Sequence, residues 1–285
     1  MTKVNTNKLN YNFVIESRHS IDKPTEMPGY KIKINNGFSL LELSITLTII
    51  SLIIAAISAG QNIKKQAQLQ QVIADISTIS SAYQQFSAAT SSGGNTAMPG
   101  DFSSATGKFG NTSTDNGDGN GYLSTSAADS GTICAVSGNA NEELMFWQHL
   151  QLAGLISGTY DCKTNGSGGL KATQIKNGFY QAHKLITQTG AAAKRLNIQV
   201  SKYNGTNGMG AGLFSTLDAS AIDTKIDDGL PNLYAIANGD AHTSSIQAKN
   251  GGDYAEGTCV STRTQNIYNT TNTTDTPCSL YFYIE

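Results

Sequence analysis

The 20 residues from Phe38 to Ile57 constrain this chain most: 14 are apolar, five are Ser or Thr, and Glu42 is the only charge. No proline interrupts the run. Wound as a helix, a stretch of this length reaches about 30 Å, the thickness of a bilayer's hydrocarbon core. Beyond it the pattern becomes amphipathic. Ile63, Leu69, Val72, Ile73, Ile76, Ile79, Tyr83 and Phe86 recur mostly at three- and four-residue steps, which place them on one helical stripe. Ser91-Ser92-Gly93-Gly94-Asn95 then breaks the pattern. The spacing predicts one helix of roughly 50 residues. Its part over 38–59 suits lipid or a filament core, and its part over 60–92 suits a globular body.

Charge supports an outward-facing body. Residues 1–37 carry six Lys or Arg against three Asp or Glu, while the remainder has 13 against 18. A basic start and a mildly acidic body fit a leader kept on the cytoplasmic side and a domain moved across the membrane. The same balance excludes a general nucleic-acid binder, which needs clustered Lys and Arg for phosphates; Lys194-Arg195 is the one hint of a basic patch. A secretory signal peptide would place its small cleavage-site residue after a shorter apolar run. Here the small residue, Gly37, precedes the run, just beyond Lys31-Ile32-Lys33, so the apolar segment would stay on the mature protein.

All four cysteines, Cys134, Cys162, Cys259 and Cys278, lie downstream of the apolar run. They form no C-x-x-C pair and have no histidine at zinc-ligand spacing. An oxidising compartment would join them. Of the three connectivities, the sequence-local Cys134–Cys162 with Cys259–Cys278 is preferred; four buried free thiols is the alternative if the body is cytoplasmic.

The segment from Gly37 through Phe38-Ser39-Leu40-Leu41-Glu42-Leu43-Ser44 to Ile45 resembles the processing site of type IV pilins and type II secretion pseudopilins. The resemblance is specific over residues 37 to about 60 and architectural beyond. It implies cleavage after Gly37 by prepilin peptidase, N-methylation of Phe38 by the same enzyme, and an assembly contact at Glu42 with a neighbouring subunit's N-terminal amine. A carboxylate in an apolar helix costs several kcal/mol unless paired. Such a pairing would penalise subunits docked out of register; the plain alternative is an acid near a helix N-terminus, held by the dipole or snorkelling to headgroups. A leader of 37 residues is long for the short-leader members of the family. The peptide from Met27 to Gly37 fits them better, so translation is expected to start at Met27, leaving 1–26 untranslated. The proline many pilins carry about 21 residues into the mature helix is absent; Ala59-Gly60 stands there.

The body over 93–285 reads as loop-rich α+β. Asn141-Glu142-Glu143 opens an amphipathic helix whose Leu144, Trp147, Leu150 and Phe146 face the core and which Gly154 ends. Another helix spans Asp218 to Asp228, stopped by Gly229, Leu230 and Pro231. Strands are expected at Leu196–Tyr203, Asn232–Ala237 and Ser279–Ile284, and a single Trp with scattered aromatics suggests a small core. One long helix and a small antiparallel sheet with loop-rich insertions is also the lollipop that the pilin resemblance implies. The Thr/Asn-rich loop from Cys259 to Cys278 cannot hold itself by burial. Type IV pilins often carry such a disulfide-bounded loop, whereas many major pseudopilins use calcium instead, so it leans toward a pilus or minor subunit.

Asn116, Asp118 and Asn120, in Asn116-Gly117-Asp118-Gly119-Asn120-Gly121, match the start of an EF-hand loop, with oxygen side chains at alternate positions. The twelfth position is Ala127 rather than a bidentate acid. Calcium therefore needs Asp115, Asp129 or Glu142 brought near by folding; a polar Gly/Asn loop is the bland reading. Gly205–Gly212 lacks the Lys-Ser/Thr of a phosphate loop and reads as a turn. Asp223, Asp227 and Asp228 read as a solvated helix face. No catalytic motif and no base partner for His149, His183 or His242 is recognisable, so no enzyme activity is expected.

Together these features predict a structural, minor-type subunit of a pilus-like or pseudopilus filament. It would sit single-pass in a bacterial inner membrane with its body exported, then join a filament in the periplasm or at the surface. The partners implied are the peptidase/methylase, other pilin or pseudopilin subunits, an inner-membrane assembly platform, and membrane lipid before assembly. The alternative is a membrane-anchored exported enzyme or binding protein with a prepilin-like anchor.

Overall fold

The computed structural model describes residues 38–91, 97–110, 114–123, 135–136, 139–140, 142–163, 168–184, 195–203, 209–231, 246–250, 258–261, 267–271 and 276–284. Gly37, Cys134, Asp129, His242 and the expected strand Asn232–Ala237 lie outside them.

The expected helix is α1, Leu40–Thr90, 51 residues long. The chain divides into two compact units, Met1–Ile54 and Ala55–Glu285. In the first, every described side chain is exposed. In the second, the apolar stripe of α1 does what its spacing predicts: Leu69, Val72, Ile76, Ile79, Tyr83 and Phe86 are buried in the core. Ile63 departs from the expected stripe and is exposed, and Ile73 is only partly buried.

The elements that follow are α2 (Ala105–Phe109), β1 (Ala135–Val136), β2 (Asn139–Ala140), α3 (Glu142–Leu152), β3 (Lys171–Ala172), β4 (Gly178–His183), β5 (Asn197–Tyr203), β6 (Met209–Ala211), α4 (Thr216–Ile226), β7 (Ile246–Asn250) and β8 (Cys278–Tyr283). The main sheet runs β3-β4-β5-β8-β7, with β6 also paired to β5, and every pairing is antiparallel. The α+β class expected from sequence is the one found. The second half of α1 is tied to the sheet region by Tyr180, whose hydroxyl donates to Asp75 at 2.8 Å, and by Gln68, whose amide donates to the Gln174 carbonyl at 2.8 Å. Part of the glycine-rich run expected to be a turn, residues 209–211, is a strand instead. Its backbone finds a ladder on β5.

α4 starts two residues before its expected position, because Ser215 caps it by accepting from the Asp218 amide at 3.2 Å. Gly154 and Gly229 follow α3 and α4 with positive φ, as expected of helix stops. α3 corrects the sequence reading more sharply. It is not amphipathic, since all nine residues from Glu142 to Leu150 are buried. Trp147, Leu144 and Leu150 face the apolar core as expected, while Glu142, Glu143, Gln148 and His149 are buried on polar partners from other segments. Such burial is tolerable only when those partners are supplied.

Candidate functional site

Among the described residues, chemistry gathers first at the exposed helix start and in the polar shell around α3. At the helix start, Phe38 is 83% exposed and Glu42 lies in the first turn of α1. Leu40, Leu41, Leu43, Ile45, Leu47 and Leu52 are also exposed. The apolar window of α1 has a mean hydropathy of 2.4 and none of it is buried. It is long and apolar enough to cross a membrane. Four hydroxyls in this stretch, on Ser44, Thr46, Thr48 and Ser51, bond back to carbonyls three or four residues earlier, so they add little polarity to the helix surface.

Residues from the segments 97–110 and 114–123 bond to α3. The Gly100 amide donates to His149 Nδ1 at 2.9 Å. His149 Nε2 lies 3.1 Å from Thr114 Oγ1, and that hydroxyl donates to Gln148 Oε1 at 2.7 Å. Because Nδ1 accepts, the ring is neutral with its proton on Nε2, and burial pushes its pKa down to about 4. His183 is in the opposite state. Its Nδ1 lies 2.7 Å from Glu143 Oε1 and its Nε2 lies 2.9 Å from Gln199 Oε1. Both nitrogens face acceptors, an arrangement that favours the doubly protonated, charged ring. Burial works against that charge, but Glu143 and Gln199 outweigh it and raise the pKa. Sequence reading had found no partner for this histidine, because Glu143 stands 40 positions away.

Of the expected calcium residues, Asn116 and Asn120 direct their side-chain oxygens to neighbouring donors. Asn116 Oδ1 accepts from the Thr106 amide and hydroxyl, at 2.9 and 3.1 Å. The Asn120 amide donates to Asp118 Oδ2 at 2.6 Å, and its Oδ1 accepts from the Tyr122 amide at 2.8 Å. Asp118 instead joins Asp101 and Glu142, with one carboxylate oxygen from each lying within 4.8 Å of the others. Glu142 is one of the residues named as able to complete the site, and folding does bring it near. Asp101 was missed; its only sequence signal is the turn Pro99-Gly100-Asp101.

In this cluster Asp118 is exposed, while Asp101 is 5% exposed and Glu142 fully buried. Asp101 Oδ2 accepts from the Gly121 amide at 2.9 Å, and Glu142 Oε1 accepts from the Asp118 amide at 3.1 Å. Asp101 Oδ1 is buried with no hydrogen-bond partner. Burial first, then the neighbouring Asp118, push the Asp101 carboxyl up to about 7 against the amides of Gly121 and Gly119.

Asp223 also corrects the sequence reading, since it is fully buried rather than on a solvated face. Its Oδ2 accepts from the Tyr268 hydroxyl at 2.7 Å. Burial outweighs that bond, and with Asp228 and Asp227 nearby raises the carboxyl's pKa to about 7. The folded pKa exceeds the unfolded one, so the native state holds a proton the unfolded chain releases, and stability falls as pH rises from about 4 through 7. Asp223→Asn is therefore expected to match the wild type below about pH 4 and to exceed it by up to about 4 kcal/mol at pH 8. Urea denaturation at both pH values checks this; an equal effect at the two would show that the carboxyl does not titrate in this range.

Cys259 and Cys278 form a disulfide that closes the Thr/Asn-rich loop. Cys162 is disulfide-bonded as well. Among known families, the prokaryotic N-terminal methylation motif matches residues 32–58. Neither the curated proteins nor the solved structures contain a match to the chain. The motif covers the junction 37–38, Glu42 and the whole apolar run from Phe38 to Ile57, and does not reach the body.

Proposed function

We propose that this chain is a structural subunit, of the minor type, in a type IV pilus-like or type II secretion pseudopilus filament. One observation carries the proposal: the methylation motif lies on a helix whose apolar surface, from Phe38 to Ile57, has nothing covering it in the monomer. A soluble domain does not leave that much contiguous apolar surface in water. Lipid covers it before assembly, and the helices of neighbouring subunits cover it afterwards.

The mechanism is mechanical. Cleavage after Gly37 removes the basic leader and creates a positively charged amine on Phe38, which the same peptidase methylates. The amine and the Glu42 carboxylate of an adjacent subunit attract within a low-dielectric helix bundle, where an unpaired charge is costly. A subunit in the wrong register leaves both unpaired. This reading assigns the body to contacts along the filament surface and gives it no catalytic step.

Intact mass of the membrane-extracted protein tests the proposal. The expected species begins at Phe38, carries one extra methyl group and contains two disulfides. A species retaining residues before Phe38, or lacking the methyl group, would remove the processing on which assembly depends. In cells without the peptidase the precursor is expected to begin at Met27. Peptides from residues 1–26 in its digest would move the start upstream.

A further inference from the structure

We propose that Asp101, Asp118 and Glu142 form a calcium site that fastens the segments carrying Asp101 and Asp118 to the start of α3. The site differs from the loop ligand set suggested by the EF-hand-like spelling. It draws one carboxylate from the turn after Pro99, one from the Gly/Asn loop, and one from the first residue of α3.

Ligand chemistry favours calcium among the common hard cations. The three carboxylate oxygens lie within 4.8 Å of one another, close enough for one cation to draw all three together. Magnesium demands near-ideal octahedral geometry and keeps several of its waters, so it is seldom held by a dedicated cage of protein carboxylates. Calcium accepts six to eight oxygens in variable geometry, so three carboxylates leave room for water and loop carbonyls. Zinc would call for His or Cys ligands in this cluster, and there are none among its three members.

The second observation is Asp101 itself. Its side chain is 5% exposed, and Oδ1 has no hydrogen-bond partner. A buried carboxylate oxygen left unpaired costs several kcal/mol. The charge of Asp118, of the same sign, acts on it unfavourably. The dipole of α3 explains why acids suit positions 142 and 143. It does not explain why two further carboxylates from separate segments converge there, one with an oxygen facing no donor. A divalent cation supplies the missing partner and reverses the repulsion in one step. An exported body would meet calcium outside the cytoplasm, but the site's chemistry does not depend on the filament reading.

The test is thermal melting of the membrane-extracted protein, cleaved or not, in detergent, in millimolar calcium, in millimolar magnesium, and in chelator. Calcium at about 100 times its Kd is expected to raise the Tm on the order of 5–10 °C over chelator, with magnesium giving much less. Asp118→Asn, at the exposed member, is expected to fold, to melt near the wild type in chelator, and to lose most of the calcium shift. Asp101→Asn is expected to lose it as well. Equal melting in calcium and chelator, an equal shift with magnesium, or a full calcium shift in Asp118→Asn would each overturn the assignment. None of these outcomes depends on processing or assembly, so failure here leaves the filament proposal standing.

Discussion

Replacing Gly37 with a bulky residue such as Phe is expected to leave the protein almost entirely as full-length precursor in the membrane, with no detectable subunit in sheared filaments. For cleavage after Gly37 the peptidase would have to draw the backbone on either side of the 37–38 bond into its active site. A residue without Cβ lets that backbone approach closely. Uncleaved, Phe38 nitrogen is a neutral amide rather than a charged amine. On the filament reading, Glu42 would then have no counter-charge in a neighbouring helix, and the basic leader would resist withdrawal from the cytoplasmic face. Immunoblotting of whole membranes and of the sheared fraction reads both effects. The outcome also separates the two function classes. An anchored enzyme or binding protein would keep its activity on the uncleaved anchor, because its body is already across the membrane. Filament assembly would be lost.

The features that the sequence makes legible are those set by local period. α1 appears at its expected length because a 3.6-residue pattern persists along it, first on all sides and then on one. β5 and β8 were also visible as apolar, β-branched or aromatic runs. β4 was not, and its burial shows why. Its inward positions are Gly178, Tyr180 and Ala182, whereas Phe179 points to the less buried side. The period-2 signal therefore has its large apolar residue on the wrong face. The full burial of α3 was hidden for a different reason. Glu143 and His149 look like solvent-facing positions until His183 and Gly100 arrive to pair with them. Those partners are 40 and 49 residues away, and no local rule reports them. The acid cluster follows the same logic: Asp118 was legible from its Asn-Gly-Asp setting, Glu142 only as one candidate among three, and Asp101 not at all.

Gly100 is where these distant segments meet, and Gly100→Ala is expected to be strongly destabilising. The residue has φ of 87°, a region that costs an L side chain about 1–2 kcal/mol. The added Cβ would also stand 2.3 Å from the Glu142 carbonyl oxygen, 2.7 Å from Leu123 Cδ2 and 3.1 Å from the Phe146 amide nitrogen. A leucine methyl can move aside; the backbone of α3 cannot move without carrying its buried residues with it. If the loop yields instead, the Gly100 amide leaves His149 Nδ1, which then has no donor in a fully buried place. Strain, displacement and the lost hydrogen bond together put the expected loss at about 4 kcal/mol or more, a fall in Tm of roughly 8–16 °C for a body of this size. Gly107→Ala serves as the control, since its Cβ would meet nothing within 4 Å. It is expected to leave the Tm unchanged or slightly higher, because alanine suits the short helix α2 better than glycine does. Were Gly100→Ala to melt with Gly107→Ala, the loop would not be pressed against the α3 backbone as described. The shared anchoring of Glu142 and His149 by one segment would then have to be abandoned, and with it the frame that holds Asp101 beside the helix.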